Sequence, residues 1–563
     1  MKGNNKNMAV IIVVVAVILM VVIGLVGVIG SLTPDVIGPG AQTPNSGKSL
    51  DDLYQRISED IITADPVKAA IDLSDSSLYD EVPDIDKYPL SVEPFADVVL
   101  EIFSSPEKAG ESADKESWLI DVANDFNSMG VVTSDGRSCG IAVRNVSSGL
   151  AADYIISGKY VPELFSPSNA LWGAMIQSKG KTINMECDRL VGNTAGVMVK
   201  KNLGYTDIDH IIEDVVSGKL NLGYTNPQTS SSGANLLLTI LDKYGKGDLT
   251  SSTAVTGFTE FQKNIPYVAY NTNQMVRAAG VGSLDCMVNE YQSYINNPEF
   301  VKEYDFIPYG IRHDNPLYSC KSLSNSEQEC LDKFIEFALG TNSQQHASEC
   351  GFGGNDTYKS AFDIPAGGVI DQSLKIWKDN KDVGKEIIAV FVCDTSGSMD
   401  GTPILQLKES LTNGMKYISE KNYVGMVSYG SKVTKELDIA QFDMTQWSYF
   451  QGAVDRLSAS GNTHTYEALC LAMKMVKQAQ SEHPDAKCMI FLLSDGQANG
   501  SYSLNDVSYA IGQEGFPMYT IGYGEGADMD ELGRLSGINE AASISADPED
   551  VVYKLKSLFN AQL

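Results

Sequence analysis

The segment from Ile387 to Met399, IIAVFVCDTSGSM, constrains the possible fold of this chain more than any other stretch. Its apolar residues end abruptly at Asp394, and hydroxyl side chains follow at Ser396 and Ser398. A continuous apolar run that ends in a polar turn is typical of a strand buried on both faces of a parallel sheet. Ligands of such sheets bind beyond the carboxyl ends of the strands. The segment therefore predicts an α/β fold with a ligand site at Asp394.

Two later segments carry oxygen atoms at positions that a parallel sheet would bring to the same edge. Thr463 lies in a Gly-Asn-Thr loop before a helix, and Asp495 follows the apolar run CMIFLLS. The full candidate set has two carboxylates and three hydroxyls: Asp394, Ser396, Ser398, Thr463 and Asp495. Oxygen ligands without His or Cys favour Mg²⁺, Mn²⁺ or Ca²⁺. Because only two ligands are charged, we expect the cation to keep an open position for a carboxylate of a partner.

These features also have a simpler explanation. The serines are suited to cap a turn or a helix, and Asp495-Gly496 is suited to a plain turn. The order of the three segments, each close to an apolar run, favours a metal site over separate caps and turns.

The chain has 563 residues, too many for a single core, and strands alternate with helices in two regions. The first region begins near residue 95, and the second runs from residue 385 to the end. The second has the regular alternation of a doubly wound sheet. The net charge of −30 argues against nucleic acid binding, since no basic surface would neutralise phosphates.

Small hydroxyl residues follow the predicted strands of the first region. Ser104 follows the run VVLEIF, and Ser148 follows the strand that begins at Cys139. Residues 229–233, TSSSG, precede an apolar helix. A helix N-terminus offers free N–H groups and a partial positive charge, which favours an oxyanion or carboxylate ligand there. Capping of the helix by one serine is the alternative.

The stretch from Met8 to Gly30 contains no charged side chain and exceeds the length of about 18 residues that indicates a membrane-spanning helix. Lys2 and Lys6 precede it, which predicts a cytoplasmic N-terminus and an extracellular remainder. A cleaved signal peptide is the alternative, but the run is longer than the usual apolar core of one. We therefore expect a single-pass protein of the plasma membrane.

The predicted organisation has six parts. They are a cytoplasmic tail (1–7), a transmembrane anchor (8–30), an acidic Pro/Gly-containing linker (31–94), a first α/β domain (95–370), a connector (371–384) and a second α/β domain with a C-terminal helix (385–563). Within the linker, Ser49 and Asp52 resemble a capping box before Leu53 and Ile57, which predicts one amphipathic helix. This helix either packs on the next domain along the chain or forms a short stalk.

Nine cysteines are present, and no pair has CxxC spacing. Cys320, Cys330 and Cys350 lie in a polar stretch and would be able to form a disulfide in an extracellular domain. The sequence does not give the pairing.

The segments DTSGSM (394–399), GNT (461–463) and SDG (494–496) resemble the metal-ion-dependent adhesion site (MIDAS) of von Willebrand factor type A domains. The resemblance covers residues about 385–546. It implies a Rossmann-like sheet, a divalent cation, usually Mg²⁺, and binding of an acidic side chain of a protein ligand. By position, Ser396, Ser398 and Thr463 would be hydroxyl ligands, and Asp394 and Asp495 would bind directly or through water.

Residues about 95–370 resemble bacterial extracellular solute-binding proteins. The similar segments are SSPEK (104–108), FSPSNALW (165–172) and GYTNPQTSSSG (223–233). The resemblance implies two α/β lobes that close on a ligand. The candidate ligand-binding residues that it implies are Ser104, Ser148, Ser168, Asn193, Ser230 and Ser231.

These features predict a membrane-anchored bacterial cell-surface binding protein. We expect its C-terminal domain to bind a protein partner through a metal, and its first domain to capture or sense a small solute or oxyanion. A transporter-associated solute receptor, with the C-terminal domain as a structural appendage, is the alternative. An enzyme is disfavoured, since no HExxH motif occurs, and we predict no catalytic residue.

Overall fold

The computed structural model describes residues 47–71, 77–110, 115–269, 275, 284–496, 498–524, 527–539, 541, 543–546, 553–554, 558–559 and 562. The predicted tail and anchor, residues 1–30, lie outside these ranges. Within them, no helix is both long enough and apolar enough to cross a bilayer.

Strands and helices alternate along most of the described chain. The strands are β1 Ile62–Thr63, β2 Leu90–Val92, β3 Val98–Ser104, β4 Cys139–Asn145, β5 Leu164–Ser166, β6 Asn184–Cys187, β7 Thr194–Lys200, β8 Leu222–Thr225, β9 Tyr267–Ala269, β10 Cys286–Glu290, β11 Tyr304–Arg312, β12 Leu317–Ser319, β13 Ile387–Asp394, β14 Tyr423–Tyr429, β15 Val433–Gln441, β16 Lys487–Ser494, β17 Met518–Tyr523 and β18 Ser543–Ala546. The helices are α1 Leu50–Ile57, α2 Leu78–Glu81, α3 Pro106–Ala109, α4 Trp118–Ser128, α5 Ser148–Ser157, α6 Leu171–Ser178, α7 Ile208–Val216, α8 Ser231–Gly245, α9 Ser252–Gln262, α10 Tyr291–Asn296, α11 Pro298–Glu303, α12 Asn325–Ala338, α13 Thr341–Glu349, α14 Gly367–Asn380, α15 Thr402–Gly414, α16 Met444–Arg456, α17 Thr465–Glu482, α18 Leu504–Glu514 and α19 Met529–Gly537.

The region between β2 and β12 contains two sheets, which form two lobes. Lobe one has the strand order β2-β4-β3-β5-β12-β6, and lobe two has the order β11-β7-β10-β8-β9. In lobe one, β3 runs parallel to both β4 and β5. In lobe two, β10 is parallel to β8 and antiparallel to β7. The chain enters lobe two after β6 and returns to lobe one at β12, so the predicted α/β architecture of this region is confirmed.

A third sheet organises the C-terminal domain, with the order β1-β15-β14-β13-β16-β17-β18. Its central strand β13 is parallel to β14 and β16, and β15 is antiparallel to β14. Side chains of β13 alternate between two cores: Ile387, Ala389, Phe391 and Cys393 face one side, and Ile388, Val390 and Val392 face the other. Helices cover both faces, which explains the uninterrupted apolar run in the sequence.

The predicted linker, 31–94, differs from the structure over its described part. Leu50, Leu53 and Ile57 form the apolar stripe of α1, and all three are buried in one core of the C-terminal domain. β1 then pairs in parallel with β15. Ser49 accepts a hydrogen bond from the backbone N–H of Asp52, so the predicted capped helix is present. It packs on the C-terminal domain, and neither on the next domain along the chain nor as a stalk, because its apolar face is buried there. The two-lobed region is therefore inserted within that domain.

The predicted connector, 371–384, also differs, because most of it belongs to α14. This helix buries Ile370 and Trp377 in the core of lobe two. The indole N–H of Trp377 donates to the hydroxyl of Tyr224 at 2.8 Å. The link between the lobes and β13 therefore begins only after Asn380.

All nine cysteines are free thiols, and no disulfide joins Cys320, Cys330 or Cys350. Cys320 lies in one core cluster of the first region, and Cys330 and Cys350 lie in another. Burial raises the pKa of the Cys330 thiol to about 12, which makes this side chain an inert apolar group at neutral pH.

Candidate metal site and interlobe cleft

Asp394 ends the central strand of the C-terminal sheet and is fully buried. The register between β13 and β16 places Cys393 opposite Leu493, so Ser494 lies beside Asp394. The Ser494 hydroxyl donates to Asp394 Oδ2 at 2.7 Å, and the Tyr429 hydroxyl donates to the same oxygen at 3.1 Å. These neutral donors orient the carboxylate at the carboxyl edge of the sheet.

The loop after β13 leads from this buried carboxylate to the surface. The backbone N–H of Ser396 donates to Asp394 Oδ1 at 2.8 Å. The hydroxyl oxygens of Ser396 and Ser398 lie 3.0 Å apart. Ser396 is buried and Ser398 is exposed, and buried Met399 anchors the end of the loop. The hydroxyls of Ser396 and Ser398 therefore lead from the buried carboxylate of Asp394 towards the surface.

The loop that contains Thr463 contacts the loop after β13. The N–H of Gly397 donates to the carbonyl of Gly461 at 2.9 Å. Gly461 has a φ of +79°, and a Cβ at this position would lie 1.8 Å from the Ser431 hydroxyl, so glycine is required. The N–H of Thr463 donates to the Asn499 side chain at 2.7 Å. This contact fixes the threonine at the same sheet edge.

Asp495 follows β16 directly and is 8% exposed. Its carbonyl accepts a hydrogen bond from the N–H of Asp528 at 2.9 Å. Burial raises the pKa of Asp394, and repulsion from Asp495 acts in the same direction, against the hydrogen bonds from Ser396 and Ser494. A buried carboxylate with a second acidic side chain beside it favours a cation.

The structure thus brings all five predicted metal-ligand candidates to one end of the C-terminal sheet. Their carboxylate and hydroxyl oxygens match the preferences of Mg²⁺. Only two of the five are acidic, and across the described ranges no group of three or more His, Cys, Asp or Glu side chains is arranged to hold a metal.

The lobe-one candidates of the first region lie together. Ser104 ends β3, next to Ser166 at the end of β5. The hydroxyls of Ser148 and Ser168 lie 3.5 Å apart, and the N–H of Ser168 donates to the Ser148 hydroxyl at 3.3 Å. These four serines are buried. They form a cluster of hydroxyls at the carboxyl edge of the lobe-one sheet.

The lobe-two candidates already have internal partners. Ser230 caps α8 and accepts a hydrogen bond from the N–H of Gly233 at 3.4 Å. Ser231 accepts one from the indole N–H of Trp172, in lobe one, at 2.8 Å. The cap that the sequence offered as the alternative is therefore present at Ser230, and Ser231 joins the two lobes.

Asn193 is placed differently from the serines. Its amide donates to Glu290 Oε2 at 3.1 Å and accepts from the N–H of Gln292 at 3.2 Å. Glu290 ends β10 and Gln292 lies in the first turn of α10. Asn193 therefore makes hydrogen bonds inside lobe two.

The sequence did not single out Lys108, whose side chain is fully buried beside the serine cluster. Its ammonium donates to the Ser105 hydroxyl at 2.5 Å and to the Ser166 carbonyl at 2.8 Å, and it lies 3.6 Å from Glu107. Burial lowers the pKa of Lys108 to about 8, although Glu107 opposes the shift. The available signal was the pair Glu-Lys in SSPEK, directly after a buried strand.

Glu290 and His313 form a second buried pair that the sequence did not indicate. Glu290 Oε1 lies 2.8 Å from His313 Nδ1. His313 Nε2 lies 3.0 Å from the amide of Asn169 in lobe one and 3.2 Å from that of Asn235 in lobe two. Burial raises the pKa of Glu290, against the effect of His313. No local pattern marks this pair, because its members come from different elements.

Two buried hydroxyls, one in each lobe, have no hydrogen-bond partner among the described residues. Ser166 is fully buried, and its hydroxyl has no hydrogen-bond partner among the described residues. The same holds for the buried hydroxyl of Thr229, just before α8. A Cβ added to Gly149 would lie 3.1 Å from Thr229 Cα, so the two lobes touch at this point.

Two family models match the chain. Residues 389–561 match the model of the von Willebrand factor type A domain. Residues 113–353 match the model of the bacterial extracellular solute-binding protein.

Curated proteins with similar sequences match one part of the chain. Inter-alpha-trypsin inhibitor heavy chain H1 of Mesocricetus auratus is 28% identical over 181 residues, which cover 30% of this chain and 20% of that protein. Heavy chain H3 of Mus musculus is 28% identical over 156 residues, which cover 26% of this chain and 17% of that protein. The chain therefore spans 20% or less of the length of these two relatives.

Solved structures resemble both regions. The von Willebrand factor type A structure from Catenulispora acidiphila has a TM-score of 0.29 at 21% identity, covering 31% of this chain and 42% of that chain. The sulfate-binding protein SubI from Mycobacterium tuberculosis H37Rv has a TM-score of 0.33 at 16% identity, covering 45% of this chain and 86% of that chain. From the two family models, we conclude that the chain carries a region of the bacterial extracellular solute-binding type and a C-terminal von Willebrand factor type A domain.

Proposed function

We propose that this protein is a membrane-anchored extracellular binding protein whose C-terminal domain binds a protein ligand through a divalent cation. The observation that carries the proposal is the buried carboxylate of Asp394 beside Asp495, with neutral donors and hydroxyls around it. Mg²⁺, or else Mn²⁺ or Ca²⁺, would be held by Asp394, Ser396, Ser398, Thr463 and Asp495. A bound cation would supply a position for a carboxylate of the partner.

A binding role fits these residues better than catalysis. Serine and aspartate oxygens at the sheet edge are hydrogen-bonded to one another and to the backbone. The nearest histidine, His464, has Nδ1 2.7 Å from the carbonyl of Gly430, which fixes its ring against the backbone. None of these contacts pairs a nucleophile with a general base, the arrangement that covalent catalysis needs.

Replacing Asp394 with alanine is expected to weaken Mg²⁺ binding by roughly tenfold or more, because it removes the buried carboxylate of the set. Calorimetric titration with Mg²⁺ measures the effect. Asp485→Ala is the matched control, since Asp485 is exposed and precedes β16 at the opposite end of the sheet. Equal Mg²⁺ affinity of Asp394→Ala and the wild type would refute the metal proposal.

A second function, capture of a small polar solute between the lobes, is supported by the unpartnered hydroxyls of Ser166 and Thr229. Leaving a buried hydroxyl unpaired costs about 1–3 kcal/mol, so a ligand that pairs with it gains that energy. Ser104, Ser148 and Ser168 would line the same site.

The solute proposal is tested by thermal unfolding with sulfate, amino acids and sugars as probes. At least one probe is expected to raise the melting temperature of the wild type, and Ser166→Ala is expected to lose most of that increase. Ser128→Ala, at an exposed position of α4, is expected to keep it. If no probe raises the melting temperature, the cleft has no solute-binding role.

A further inference from the structure

The described N-terminal segment and the C-terminal domain enclose a cavity of about 440 Å³. Arg56 and Asp60 line it from the N-terminal side, and Lys432 lines it from the loop between β14 and β15. Glu467, on the first turn of α17, completes the charged lining. The volume is within the range of about 300–1,000 Å³ that small-molecule sites have. The cavity exists only because α1 packs on this domain.

The Glu467 side chain lines this cavity and is only 3% exposed. Its Oε1 accepts hydrogen bonds from the N–H groups of Ser501, at 2.5 Å, and Tyr502, at 3.2 Å. Its Oε2 is buried and has no hydrogen-bond partner in the part of the chain that the structure describes. A buried carboxylate oxygen without a donor is costly, so this position favours a ligand that brings a donor.

The charges around the cavity narrow the class of ligand. An ammonium group donates a hydrogen bond to a carboxylate oxygen and also carries the opposite charge. Of the other charged residues that line the cavity, Arg56 and Lys432 are positive and Asp60 is negative, so their sum is positive and favours a ligand carboxylate. A ligand with one ammonium and one carboxylate would therefore be complementary both to Glu467 and to the basic side chains of the cavity.

We propose that this cavity binds a small zwitterion, an α-amino acid, whose ammonium group donates to Glu467 Oε2 and whose carboxylate lies towards Arg56 and Lys432. The cavity shares no lining residue with the five metal-ligand candidates, although His464 in its lining adjoins Thr463. It shares none with the serines of the two lobes either, so its ligand can be tested apart from the functions proposed above.

The test is thermal unfolding of the full chain with each of the common L-amino acids, followed by calorimetry on those that shift the curve. Ethylamine and acetate serve as probes with a single charge. At least one amino acid is expected to raise the melting temperature saturably, and by more than either single-charge probe. If no amino acid raises it, or if ethylamine raises it equally, the proposal is overturned.

Variants locate the bound amino acid. Glu467→Gln and Lys432→Met are each expected to reduce the affinity, whereas Glu482→Gln, exposed at the end of the same helix, is expected to keep it. Lys432 is exposed, so its variant reports on the site even if Glu467→Gln does not fold. Ser166→Ala separates this site from the cleft and is expected to keep the affinity. Loss in Ser166→Ala, or wild-type affinity in Lys432→Met, would place the ligand elsewhere and refute the proposal.

Discussion

Replacing Lys108 with methionine is expected to lower the free energy of unfolding by about 3–5 kcal/mol, the usual cost of removing one partner of a buried ion pair. The substitution keeps the length of the side chain but leaves Glu107, whose side chain is 13% exposed, beside no cation. It also removes donors to the Ser105 hydroxyl and the Ser166 carbonyl. Urea-induced unfolding of the wild type and the variant measures the difference.

Two further variants show whether the unpaired charge of Glu107 causes the loss of stability. Adding Glu107→Gln to Lys108→Met is expected to recover much of the loss, because the unpaired carboxylate is then gone. Lys375→Met, at a side chain that is 74% exposed, is expected to change the free energy by no more than about 0.5 kcal/mol. A loss below about 1 kcal/mol for Lys108→Met would contradict the buried pair.

The same lysine makes a pH-dependent contribution with a defined sign. Its pKa is lowered from 10.5 to about 8 in the folded protein, so between these values the unfolded chain binds more protons. The free energy of unfolding therefore gains a positive slope from Lys108 between pH 8 and pH 10.5. Other groups titrate in this range, and the difference between wild type and Lys108→Met isolates the lysine. An identical slope in both proteins would contradict the lowered pKa.

Replacing Phe559 with alanine is expected to lower the free energy of unfolding by about 3–5 kcal/mol. The ring is 1% exposed. Its centroid lies 5.4 Å from that of Phe391 on β13 and 5.3 Å from that of Phe491 on β16, edge-on in both cases. A Cβ on Gly414 would lie 2.5 Å from the Phe559 ring, so the cavity left by alanine has little room to collapse from that side.

The control for Phe559→Ala is Leu405→Ala on α15, where the leucine is 65% exposed. That variant is expected to change the free energy by no more than about 0.5 kcal/mol. If Phe559→Ala is equally mild, the C-terminal residues do not belong to the core in solution. Calorimetric or denaturant-induced unfolding distinguishes the two outcomes.

The elements that could be predicted from sequence have local signals. β13 is recognisable because its apolar run is continuous, and α1 because Ser49 and the apolar spacing define it. Where α1 packs could not be predicted, since its partners lie far along the chain. β1 is only two residues long, both exposed, and pairs with residues beyond position 430, which leaves no pattern to read.

The candidate sites differ in the same way. The positions of the metal-ligand candidates were predictable because Asp394 and Asp495 end or follow apolar runs, and Thr463 lies in the loop before a helix. Lys108 had a local signal in the Glu-Lys pair after β3, but its contact with Ser166 on β5 is distant in sequence. The Glu290–His313 pair had no signal, because its members come from different elements. Ser230 shows the limit of a local pattern, since a serine before a helix serves as a cap whether or not a ligand is present.

The insertion of the two-lobed region has a consequence for the order in which the chain is made. α1 leaves the ribosome early, but its partner α17 follows roughly 400 residues later. At about 5–20 residues per second, this delay is roughly 20–80 s. Throughout it, Leu50, Leu53 and Ile57 have no permanent partner, whereas both lobes have all their strands once Ser319 has been translated. α1 is therefore translated long before it reaches its native contacts, and the nascent chain must keep the apolar face of this helix from aggregating until then.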